Sequence, residues 1–217
     1  MIGKREVRLG ELLERAGLRR APARPPAPRM GDHPDADEWA LDLYQMLGGT
    51  QPAPKLRPGA WDLVFEGMVI ELDEEQHFNR YRADTLAPSW CGALPWRTDY
   101  QKQSESREEE SLAKASFGGF WSNPSCVGLF GPPAPPRALD SLGGSPRWKQ
   151  RALYDAMKDA HALLVLGVPF ARLSVHDEVE GQSLGAVLDG RASVPHDALA
   201  QILEARTLSP ANGHRAR

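Results

Sequence analysis

The stretch Trp61 to Tyr81, WDLVFEGMVIELDEEQHFNRY, constrains the fold more than any other part of the chain. Trp61 to Glu66 alternates apolar and polar residues, and Met68 to Asp73 continues as a second β-rich run. Glu66-Gly67 between them is the X-Gly pair that suits a two-residue hairpin turn. With Phe65 and Met68 flanking the turn, Asp62 falls opposite Glu71, their Cβ atoms about 5 Å apart. Side chains alternate along a strand, so Asp73 shares the face of Glu71 and three carboxylates converge. Like charges this close repel unless a cation sits among them, and an oxygen-rich cluster is what Mg²⁺ or Mn²⁺ requires. The competing reading makes this face the solvent side of the ribbon. Against it, Val69-Ile70-Glu71-Leu72-Asp73 is too apolar for an exposed edge and reads as a central strand delivering acids at its end.

An Asp on one strand, a hairpin, and Glu-x-(Lys or a substitute) on the next resembles the PD-(D/E)XK, or restriction-endonuclease-like, nuclease superfamily. VIELDEEQH is further similar to the branch around the very-short-patch-repair endonucleases, where an acidic strand runs into a turn closed by a His. Asp62 matches the first acid, Glu71 the second, Asp73 the position usually held by Lys, and His77 the turn His. The resemblance implies an α/β fold with a restriction-endonuclease-like core, a mixed β-sheet with a central hairpin flanked by helices. It implies hydrolysis of phosphodiester bonds in DNA, with Asp62, Glu71 and Asp73 holding Mg²⁺ or Mn²⁺ and His77 assisting proton transfer. Because Asp73 replaces the Lys, a nuclease-fold module that binds nucleic acid or protein without catalysis is the alternative.

The missing lysine has a candidate in GSPRWKQRALYDAMKDAHALLVLG, where Ser145 caps a helix and Pro146 takes its first position. Ala152, Leu153, Ala156, Ala160, Leu163 and Leu164 form one stripe with Lys149 at its centre. Superfamily members without the strand Lys are described as recruiting one from a neighbouring helix, which Lys149 fits. Equally, Lys149 can snorkel, covering apolar surface with its stem. Arg151 and Lys158 fall on the opposite, solvated face.

The rest of the chain is read more coarsely. Residues 1–30 hold a basic amphipathic helix, with Val7, Leu12, Leu13 and Ala16 apolar, and a Pro-rich linker; they read as a solvated tail or a phosphate-gathering arm. The core is expected over 31–206 and a loose tail over 207–217. Residues 35–47 form a helix capped by Asp35 with Glu38, its stripe running through Trp39, Ala40, Leu43 and Leu47. Glu38 is read as a cap and left out of the site. From about 83 to 145 periodicity fails, and a long irregular insertion is expected. There Arg80, Arg82, Arg97 and Trp121 could line a substrate groove, although Trp90, Trp96, Phe117, Phe120 and Trp121 serve more simply as anchors onto the core. A strand at PFARLSVHD and a last helix near Pro195 to Ala205 complete the order. The chain has 217 residues, net charge −3, two cysteines and no membrane-length apolar run, which points to a cytoplasmic, reduced setting without membrane contact.

Overall fold

The computed structural model describes residues 3–115, 118–141 and 143–210. The chain is mixed α/β, and its contacts divide into two units. The first comprises residues 1–27, 60–74 and 162–217; the second, residues 28–59 and 75–161. These limits do not follow the 31–206 core expected from the sequence.

The first unit is built on the hairpin. Strands β1 (Leu63–Phe65) and β2 (Met68–Asp73) pair Leu63 with Ile70, Val64 with Val69 and Phe65 with Met68, the expected register. The turn falls at Glu66-Gly67, where Gly67 takes φ 78° and spares the hairpin a strained side chain. Strand β2 runs parallel to β3 (Phe170–Ser174), and β3 is flanked by the short antiparallel β6 (Thr207–Leu208), giving a mixed sheet in the order β1-β2-β3-β6. Residues 207–208 are therefore a strand rather than the start of a loose tail; residues 211–217 lie outside the described residues. The outer edge of β1 is closed by the chain before it. Ala21 N–H donates to the Val64 carbonyl at 3.1 Å, and Glu66 N–H to the Arg19 carbonyl at 2.8 Å.

Leu63, Phe65, Ile70, Leu72, Ala171 and Leu173 share one face of this sheet by alternation and carry the unit's apolar core. On them pack α1 (Lys4–Arg15), α8 (Leu184–Leu188) and α9 (His196–Ala205), whose Leu9, Leu13, Leu184 and Leu199 are buried. Strands β4 (Glu178–Val179) and β5 (Gln182–Ser183) form a small hairpin between β3 and α8. Helix α1 is the basic amphipathic helix expected here, but it packs on the sheet instead of forming a solvated tail. Its buried stripe runs through Leu9, Leu12 and Leu13, whereas Val7 is exposed. Four of its neighbourhood's arginines are paired with acids, Arg5 to Asp189, Arg8 to Glu11, Arg19 to Glu66 and Arg20 to Glu14. The Pro-rich stretch is tied down as well, because Trp61 donates its indole N–H to the Pro26 carbonyl at 3.0 Å and accepts from Arg24 at its own carbonyl at 2.9 Å.

The second unit is helical: α2 (Pro34–Met46), α3 (Arg80–Thr85), α4 (Arg97–Ser106), α5 (Glu108–Ala115), α6 (Pro124–Phe130) and most of α7 (Pro146–Leu164). Helix α2 is capped by His33, whose Nδ1 accepts from Asp35 N–H at 3.2 Å, and not by Asp35; Glu38 and Asp42 are exposed as expected. The expected irregular insertion over 83–145 is largely helical. Its helices are short, and α4, RTDYQKQSES, buries only Tyr100 and Ser104, too few positions to give a readable period. Two of their starts are fixed by side chains: at α3 Asn79 accepts from the Tyr81 and Arg82 amides, and at α6 Asn123 accepts from that of Cys126. Trp96 and Trp121 are buried anchors, Trp90 stacks on Trp39 with ring centroids 4.7 Å apart, and Phe120 is exposed. Phe117 lies outside the described residues. Ser145 caps α7 by accepting from Trp148 N–H at 3.3 Å. Lys158, expected to be solvated, is buried, because α7 is covered on nearly every side and its stripe is wider than one face.

Candidate functional site

The face of the sheet opposite the apolar core carries the chemistry. By alternation it presents Asp62 and Val64 from the first arm of the hairpin, Val69, Glu71 and Asp73 from β2, and Phe170, Arg172 and Ser174 from β3. Its hairpin end is apolar; its other end is polar and buried, with Glu71, Asp73, Arg172 and Ser174 each at most 3% exposed.

Asp62 sits one step beyond the Leu63 and Ile70 pair, opposite Glu71. Each acid braces the backbone of the facing strand: the Asp62 amide donates to Glu71 Oε1 at 3.0 Å, and the Leu72 amide donates to Asp62 Oδ2 at 3.0 Å. The hairpin thus fixes both carboxylates through hydrogen bonds from backbone N–H groups.

Asp73 is held by Arg172. One guanidinium nitrogen of Arg172 lies 2.9 and 2.8 Å from its two oxygens. In the parallel register Arg172 stands beside Glu71, one pleat from Asp73, so a cation from β3 enters the acidic face at the level where a strand lysine was missing. Neither periodicity nor spacing marks Arg172, because its neighbours come from a strand about a hundred residues away in sequence. Its signal in FARLS is only a charge inside an apolar strand.

A fourth acid, Glu6 on α1, was also missed. Burial raises its pKa above 4.5, and the negative charge of Asp62 raises it further, against the opposing pull of Arg24. The helix that brings this acid to Asp62 is α1. Below this layer Asp177 accepts from Arg206 at 2.7 Å and from the Ser174 amide at 2.9 Å, a second buried pair at the end of β3.

His77 and Lys149 belong to the second unit. His77 Nδ1 lies 2.8 Å from Asp155 Oδ2, a pairing that fixes the orientation of its ring. The ammonium of Lys149 lies 5.5 Å from the centre of the Tyr81 ring, and burial lowers its pKa below 10.5. Of the candidate groove residues, Arg82 is fully buried against Asp159 at 2.8 Å, Arg80 is held by Glu108 at 2.7 Å, and Arg97 donates to the Leu86 and Ala87 carbonyls. These three are structural in the second unit.

Residues 42–190 match the Family of unknown function (DUF7255), a span that includes Asp62, Glu71, Asp73, His77, Lys149 and Arg172 and leaves Glu6 outside. No curated protein and no solved structure matches the chain. Among the described residues, no helix is long and apolar enough to cross a membrane.

Proposed function

We propose that this chain, which belongs to the Family of unknown function (DUF7255), is a divalent-metal-dependent phosphodiesterase acting on DNA, with a restriction-endonuclease-like core. The observation that carries the reading is the braced pair of Asp62 and Glu71 on a buried sheet face, with Arg172 on the adjoining strand. An antiparallel hairpin followed by a parallel strand supports the same reading.

In this reading Asp62 and Glu71 hold the metal, and Glu6 lies near enough to Asp62 to feel its charge. The donors are all carboxylate oxygens, the chemistry that Mg²⁺ and Mn²⁺ accept. A bound ion supplies a water of lowered pKa and neutralises charge on the phosphoryl oxygens. Asp73 is a positioning residue, because both its oxygens engage Arg172 and hold that guanidinium on the acidic face. Arg172 in turn takes the role expected of the strand lysine, offsetting negative charge as it develops on phosphate. His77 and Lys149, which belong to the other unit, have no assigned part in this face.

The test is cleavage of plasmid, linear duplex and single-stranded DNA with Mg²⁺ or Mn²⁺, set against EDTA. Asp62→Asn and Glu71→Gln should each abolish metal-dependent cleavage while leaving the melting temperature in EDTA unchanged or slightly raised, since each removes one of several crowded negative charges. Full activity in either variant would sink the assignment. The Arg172 and Asp73 pair also favours a second reading, in which the face is neutralised from within and the chain is a binding module. Wild-type inactivity on every substrate, with DNA still bound in a steeply salt-dependent manner, would select it.

A further inference from the structure

The second unit contains a cleft of about 450 Å³, lined by Arg80, Ala83 and Asp84 of α3, Ser104 and Glu105 of α4, and Glu108 of α5. Three carboxylates line it against one guanidinium, and that guanidinium is committed. Arg80 donates through Nε and Nη2 to Glu108 and through Nη1 to Asp140. The side chains of Asp84 and Glu105, by contrast, make no hydrogen bond or ion pair among the described residues. Burial, only partly offset by Arg80, raises the Asp84 carboxyl above 3.8, so its charge is under-compensated as the cleft stands.

Ser104 adds an independent sign. It is 0% exposed, it lines the cleft, and its hydroxyl has no partner among the described residues. A helical serine ordinarily returns its hydroxyl to the carbonyl four residues back, as Ser106 does to Lys102 at 2.7 Å. An orphaned hydroxyl carries a desolvation cost that a ligand donor would remove. A bare divalent ion does not meet these terms, because the oxygens of Asp84, Glu105 and Glu108 do not converge within 4.8 Å of one another. The volume lies instead in the range of sites for small organic ligands, roughly 300–1,000 Å³.

We propose that this cleft binds a small organic cation bearing several N–H donors, an alkylammonium or guanidinium group, with Asp84 and Glu105 as counter-charges and Ser104 as a hydrogen-bond acceptor. Such a group is carried by free polyamines and by arginine side chains of peptides, and the experiment separates the two. Calorimetric titration of the full chain in EDTA would use spermidine in one arm and an arginine-containing tripeptide amide in the other, with Asp84→Asn, Glu105→Gln and Glu71→Gln as variants. Asp84 and Glu105 are both exposed, so their variants should fold, which the melting temperature verifies. Saturable binding in one arm is expected, weakened about tenfold or more in Asp84→Asn and in Glu105→Gln, the scale of losing one charge-assisted hydrogen bond. The stronger arm names the source. Glu71→Gln should bind like wild type, which keeps this result distinct from the fate of the proposed metal face. The proposal is overturned if neither probe saturates at millimolar concentration, if both cleft variants bind like wild type, or if Glu71→Gln alone loses binding.

Discussion

Arg172 and Asp73 are 0% and 1% exposed at the side chain and close to 2.8 Å, and a pair this deep is worth less than the loss of either half. Arg172→Met should destabilise the chain by about 3–5 kcal/mol, because a buried carboxylate is left without its cation. Adding Asp73→Asn should recover part of that loss, and urea denaturation of the two single variants and the double variant measures the coupling. Strictly additive losses would mean that the two side chains do not act as a unit. Glu6 provides a pH test. Its folded pKa is raised above 4.5, so its favourable contribution is fully present below that value and is lost as pH rises through the folded pKa. Glu6→Gln should therefore gain stability relative to wild type at pH 7 and lose that advantage near pH 4, read from melting temperatures across the range. At this scale Asp62 and Glu71 were legible, since a hairpin register is local. Arg172 and Glu6 were not, since what makes them part of the face is pairing and packing between segments distant in sequence.

Elements divide the same way. The hairpin announced itself through alternation and Glu66-Gly67, and the capped start of α7 through Ser145-Pro146. The sheet order required β2 and β3 to be joined across residues 75–161 of the second unit, and nothing in VIELD or FARLS states that they pair in parallel. Helices α3 to α6 stayed hidden because they are short and their buried residues are few, and α3 and α6 start at asparagine caps rather than at an apolar stripe. Gly67 isolates the cost of the turn itself. A Cβ there would meet nothing within 4 Å, so Gly67→Ala exacts only the strain of φ 78° on an alanine. A loss of about 1–2 kcal/mol is expected by chemical denaturation. A neutral result would indicate that the turn relaxes to another type.

Across the whole chain, each unit buries its own apolar cluster, and the sheet of the first is covered along the outer edge of β1. Beyond β3 the short β6 is followed within two residues by Pro210, which cannot donate to a further strand. Beyond β1, among the described residues, the backbone bonds of Arg19 and Ala21 stand between the hairpin and the next molecule in solution. The consequence is colloidal: those bonds are a guard against polymerisation, because an uncovered β1 would offer Val64 and Glu66 as a template for a second copy's strand. Ala21→Pro removes the N–H that meets Val64 and should turn a monodisperse sample into one that scatters light and binds thioflavin on mild warming, at temperatures where the wild type stays clear.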